Sequence, residues 1–191
     1  MKKKGFIHVT VGPMFSGKSS WLIQEMEDLR KNNVPHLAIR FGNDNRYSTD
    51  SIASHDGTTF LAHSAKTIAD IEKLLKKFPD AMALGIDEIN FFPTELGILL
   101  KKLKEKGTQI YVAGLDTDFL AIPWESVTQI LKHADIINRL TAICSTCKKK
   151  IATRTQRLIN GKPASRNSPR ILIGASESYT ARCEDHHEIT N

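Results

Sequence analysis

The sequence predicts an α/β fold: a doubly wound domain with a mostly parallel sheet, then a small C-terminal domain that depends on a metal. Three observations carry this. Apolar runs of strand length alternate with stretches of helical periodicity as far as residue 140. A glycine-containing loop of the form G-x-x-x-x-G-K-[ST] joins the first strand to the first helix. After residue 140 helical periodicity fades and two cysteines appear together. The boundary is placed near residue 142, giving residues 1–142 and 143–191.

In chain order, Gly5 to Val11 is apolar and β-branched, a strand buried in a parallel sheet. Leu22, Ile23, Met26 and Leu29 recur at helical spacing, and Val34 to Ile39 is a second apolar run. Residues 41–58 are polar and turn-rich and read as a loop near the phosphate site. Thr58 to Ala62 reads as a short strand. Ile68, Ile71, Leu75 and Phe78 share one helical face, and Pro79 ends that helix. Ala81 to Ile86 is a buried strand, and Leu96, Leu99, Leu100 and Leu103 form an amphipathic helix closed by Gly107. Thr108 to Ala113 is the next strand, and Asn160-Gly161 signals a hairpin in the C-terminal part.

The 191 residues suffice for one good-sized core, or for one domain and an appendage. No stretch is apolar enough to span a membrane, and Met1-Lys2-Lys3-Lys4 precedes only a strand's worth of apolar residues. A cytoplasmic location is therefore expected, with no membrane partner. The net charge of +6 suggests anionic ligands. The basic residues fall in short runs without aromatic interleaving, so nucleic acid is not the expected partner.

The loop runs Gly12-Pro13-Met14-Phe15-Ser16-Gly17-Lys18-Ser19. Its backbone N–H groups, backed by the positive end of the following helix, suit phosphate oxygens. Lys18 would neutralise the outer phosphates of ATP, and the Ser19 hydroxyl would hold Mg²⁺. Asp87 and Glu88 stand where the strand Ala81 to Ile86 ends. Asp87 is expected to orient Mg²⁺ and Glu88 to act as a base, since phosphoryl transfer requires the attacking oxygen to lose a proton. The loop Gly114 to Phe119 follows a strand end, where open α/β sheets bind ligands. Phe119 suits either a flat base or the core.

Cys144-x-x-Cys147 and Cys183-x-x-His186 together make a tetrahedral Zn²⁺ set. Four protein ligands leave no open position, so the site reads as structural. His187 is adjacent and is an alternative to His186. The remaining histidines lack ligand spacing.

Taken as a set, these motifs resemble the zinc-containing thymidine kinases of bacteria and animal cytosol. The resemblance runs from Gly12 to His186. It also rests on Asp44-x-Arg46-Tyr47, Ser54-His55-Asp56-Gly57, Asp87-Glu88-x-x-Phe91-Phe92, Gly114-Leu115-Asp116-x-Asp118-Phe119, Ala152-x-x-Thr155-x-Arg157 and Ser176-x-x-Tyr179. It implies a P-loop domain of RecA type and a zinc domain carrying a lasso loop, here Asn160 to Pro169. It implies transfer of the γ-phosphate of ATP to the 5′-hydroxyl of thymidine, and of deoxyuridine, in pyrimidine salvage. Glu88 would take the proton. The ATP site would comprise Gly12 to Ser19 with Asp87, Glu88, Ile89 and Asn90. Asp44 and Arg46 would lie near Mg²⁺ and the phosphates. Met14, Leu115, Phe119, Thr155, Ile171, Leu172, Ile173, Gly174, Ala175 and Tyr179 would surround thymidine. The family is typically tetrameric and inhibited by the end-product dTTP. The chain departs from the family pattern at Asn90, Leu120, Trp124, Lys148 and Ala175. A nucleic-acid-stimulated ATPase with a zinc module is the alternative reading, motivated by the basic balance.

Overall fold

Alternation along the strands of the computed structural model sets its layers. The structure describes residues 4–42, 51–55, 57–171 and 177–191. In chain order come β1 (Phe6–Val11), α1 (Lys18–Lys31), β2 (His36–Phe41), β3 (Ser51–Ala53), β4 (Thr59–Leu61), β5 (His63–Ala65), α2 (Ile68–Lys77), β6 (Ala83–Asp87), α3 (Leu96–Glu105), β7 (Gln109–Gly114), α4 (Glu125–Leu131) and β8 (Ile136–Arg139). Six strands form one sheet in the order β5-β2-β6-β7-β1-β8, and every neighbouring pair is parallel. β7 thus separates the P-loop strand β1 from the acidic-pair strand β6, as the RecA-type expectation requires.

Large residues point to one face: Ile7, Val9, Leu37, Ile39, Leu84, Ile86, Ile110 and Val112 pack with Ile71 of α2, Leu96 and Leu100 of α3, and Val127 and Ile130 of α4. The other face carries smaller residues, Ala38, Ala83 and Ala113, and receives Leu22, Ile23, Met26 and Leu29 of α1. A helix on a face of small residues approaches closely. At Gly85 an added Cβ would lie 2.5 Å from the Met26 sulfur. Both faces being covered explains the continuous apolar runs.

Thr67 caps α2. Its hydroxyl accepts from Asp70 N at 3.1 Å, and the Asp70 carboxylate accepts from Thr67 N at 2.9 Å. Thr67→Ala is expected to cost about 1 kcal/mol, read by chemical denaturation. The Asp70 carboxyl is held below its ordinary value, first by the Thr67 hydroxyl bond and then by backbone N–H groups. Its contribution to stability is therefore complete above the ordinary carboxylate range and is lost as pH falls through the depressed value.

The C-terminal residues form antiparallel pairs: β9 (Ala142–Ile143) with β10 (Ile151–Ala152), and β11 (Arg154–Ile159) with β12 (Lys162–Pro163) and β13 (Glu177–Arg182). The β11–β12 hairpin turns at Asn160 and Gly161, at φ 51° and 76°, the left-handed pair that an Asn-Gly sequence favours. The sequence reading needs correction in the segment 41–58. Ser51–Ala53, assigned to the loop 41–58, pairs antiparallel with β4. Ile52 and Phe60 there pack with residues of α1, and three residues are too few for a pattern. Among the described residues no helix is long and apolar enough to cross a membrane.

Candidate active site and metal centre

The P-loop sits between β1 and α1, and its glycines explain the turn. Gly17 has φ 83°, and a Cβ at Gly12 would lie 2.3 Å from the Leu140 carbonyl oxygen. Lys18 Nζ donates to the Pro13 carbonyl at 2.5 Å. Burial lowers its pKa to about 8, against the nearby carboxylates of Asp87 and Asp116. An anion in the loop would hold the ammonium charged. Phe15, Gly17, Lys18, Ser19, Ser20 and His55 line one cavity here. The Phe15 and His55 rings meet edge to face at 4.7 Å. His55 comes from the turn between β3 and β4, within the segment 41–58 that the sequence places near the phosphate site.

β6 delivers the acidic pair into the same region. The Ser19 hydroxyl donates to Asp87 Oδ2 at 2.8 Å, and Glu88 N donates to Oδ1 at 2.9 Å. Burial raises the Asp87 pKa. Glu88 holds a left-handed backbone at φ 57°. Its pKa is raised to about 7 by burial and then by the Asp87 charge, with Arg40 opposing. A carboxylate tuned toward neutrality suits proton acceptance.

Glu88 also lines a second cavity of about 570 Å³, within the usual size range of small-molecule sites. Met14, Leu115, Phe119, Thr155, Ile171 and Tyr179 share its wall. Six of the residues expected around the nucleoside thus share a cavity with Glu88. Met14 N donates to Thr155 Oγ1 at 3.0 Å, which ties the P-loop to β11. Phe119 is both a core residue and a wall residue: it is buried, and the Arg157 guanidinium lies 4.1 Å from its ring centre. Asp44, Arg46, Leu172, Ile173, Gly174 and Ala175 lie outside the described residues.

Ile89 and Asn90 stand apart from both cavities. Ile89 is in the main core, and Asn90 Oδ1 accepts from Leu115 N at 3.0 Å. Asn90 thereby braces the loop after β7. Lys148, a departure from the family pattern, bears a left-handed backbone, φ 53°. Sequence reasoning gave no role to Arg40, Arg157 or Arg170, all of which line the larger cavity.

The side-chain ligand atoms of Cys144, Cys147, Cys183 and His186 all lie within 4.8 Å of one another. His186 Nδ1 is 3.0 Å from Cys183 Sγ and 3.8 Å from Cys144 Sγ. Such separations suit a shared tetrahedral ion with bonds of about 2.0–2.3 Å. His187 turns elsewhere, with Nε2 2.8 Å from the Phe119 carbonyl oxygen. The donor set, three thiols and one imidazole, fits Zn²⁺.

A P-loop, an acidic pair at the end of the strand next but one and an adjoining cavity are the parts of a P-loop phosphotransferase. The family model described as thymidine kinase matches residues 5–187, and the chain belongs to the thymidine kinase family. It is 40% identical over 197 residues to a thymidine kinase of Thermococcus kodakarensis, covering 99% of this chain and 97% of that protein. Thymidine kinases of Coprothermobacter proteolyticus and Deinococcus deserti are also 40% identical, each over 97% of this chain and over 91% and 96% of their own lengths. The chain is thus a nucleoside kinase, a transferase using ATP, and the reading as a nucleic-acid-stimulated ATPase is not favoured.

Proposed function

We propose that the chain transfers the γ-phosphate of ATP to the 5′-hydroxyl of thymidine, and of deoxyuridine, in pyrimidine salvage. The observation that carries this reading is one cavity holding Glu88 together with Met14, Leu115, Phe119, Thr155 and Tyr179. Glu88 accepts the proton of the 5′-hydroxyl as that oxygen bonds to the γ-phosphorus. The bond from γ-phosphorus to the bridging oxygen breaks, and ADP leaves. Lys18 and the loop N–H groups receive the phosphates, and Phe119, Thr155 and Tyr179 orient the nucleoside. Ser19 and Asp87, two hard oxygen donors 2.8 Å apart, fit Mg²⁺. That ion, when bound, neutralises charge on the phosphates.

Further parts of the reading rest on the family resemblance: a tetramer, inhibition by dTTP, a cytoplasmic location, and Asp44 and Arg46 beside the phosphates. We also read residues 1–142 and 143–191 as two units. Support comes from the pairing: the six-stranded sheet that ends with β8 is parallel throughout, whereas β9 to β13 pair antiparallel in separate sheets. A structural Zn²⁺ on Cys144, Cys147, Cys183 and His186 belongs to the second unit.

The test is a thin-layer assay with γ-labelled ATP, Mg²⁺ and separate deoxynucleosides. Label is expected in dTMP and little in purine products. Label only in free phosphate, above all with added DNA, would overturn the reading.

A further inference from the structure

We propose that Arg170 is a positioning residue for the nucleoside, latching the segment after β12 onto the loop after β7. This rests on the reading of the larger cavity as the thymidine site. Arg170 Nε lies 2.7 Å from Asp118 Oδ2, and the Asp118 side chain is only 2% exposed. A second guanidinium nitrogen donates to the carbonyls of Ile122 and Pro123, at 3.3 and 2.7 Å. The planar group lies 4.1 Å from the centre of the Trp124 ring, a cation–π stack. One side chain therefore engages a buried carboxylate, two backbone carbonyls and an aromatic face, all on the β7–α4 connection.

The same point of the chain is held from the other side. Arg157 of β11 donates to the carbonyls of Pro169 and Arg170, at 2.5 and 2.7 Å, and to the Tyr179 hydroxyl at 2.9 Å. Both arginines, Asp118, Trp124, Phe119 and Tyr179 line the larger cavity. Asp118 shapes its own loop as well, accepting from Leu120 N and Ile122 N at 2.9 Å each. The consequence is that the nucleoside wall on both sides of the cavity is set by Arg170 before a ligand arrives. A preformed wall leaves less ordering to be done on binding. Lysine cannot reproduce the fork and the stack together.

The test compares Arg170→Ala, Arg170→Lys and Trp124→Phe with the parent enzyme. Arg170→Ala is expected to raise the thymidine KM roughly tenfold, the factor by which the competent population falls. ATP KM and kcat should stay within roughly twofold, since the lost nucleoside binding is shared equally by the ground and transition states. Arg170→Lys and Trp124→Phe should be intermediate. In a Trp21→Phe background Trp124 is the sole indole, and Arg170→Ala should increase its quenching by acrylamide. An unchanged thymidine KM would overturn the proposal, as would an equal rise in both KM values, which marks general loosening. A parent enzyme that makes no dTMP would instead sink the thymidine assignment, and the quenching measurement would still show whether the latch forms.

Discussion

Glu88→Gln is expected to lower kcat by about 10²–10⁴-fold, the usual worth of a positioned base, while ATP and thymidine still bind. The carboxamide keeps the size of the side chain and cannot take the proton. Glu88 is placed by the backbone as much as by its neighbours. Its left-handed φ of 57° and the bond from its N–H to Asp87 Oδ1 set its direction at the end of β6. The two carboxyl groups are adjacent in sequence but face different work. Asp87 is bonded to Ser19 beside the P-loop, whereas Glu88 lines the larger cavity. Asp87→Asn should therefore act differently, raising the Mg²⁺ concentration needed for activity before it alters thymidine binding. Rapid-quench measurement of the chemical step, with Kd values from titration calorimetry, separates the two. Turnover by Glu88→Gln close to that of the parent would remove Glu88 as the base.

What could be read from the sequence was what is local. The P-loop is a continuous string whose glycines, Lys18 and Ser19 serve one ligand. The acid pair is announced by the strand that ends there. The metal set is two short knuckles, although the choice between His186 and His187 waited for geometry: His187 reaches the Phe119 carbonyl instead. The illegible parts are those made by contacts between distant segments. Arg157 belongs to a family motif but carries no role there, and Arg170 carries no mark that separates it from a surface arginine, yet they contact Phe119, Tyr179 and Asp118. Asn90 is a departure from the family pattern, and its bond to Leu115 N gives it a bracing role. β8 was missed for a related reason. It is the edge strand of the sheet, with Ile136 and Ile137 both about half exposed, so neither face shows an alternating pattern.

Removal of zinc is expected to abolish thymidine binding and leave ATP binding in the P-loop. The reason lies in the C-terminal core. Its buried cluster consists of Cys144, Ala152, Ala181 and Cys183. Side chains this small bury too little apolar surface to offset the entropy of ordering the chain. Zinc-finger peptides gain about 10–16 kcal/mol from such a site, enough to decide whether a module folds. Thr155 and Arg157 stand on β11 and Tyr179 on β13, and β13 runs directly into Cys183. Losing the ion would release these strands and, through His187, the carbonyl of Phe119. The parallel sheet has its own two large clusters and does not draw on the metal. Elemental analysis should find one zinc per chain. Cys144→Ser and His186→Ala should lose it, and His187→Ala should keep it. Thymidine binding that survives a chelator, with zinc shown to be gone, would mean that β11 and β13 are held by their contacts with the P-loop and the 114–124 loop alone.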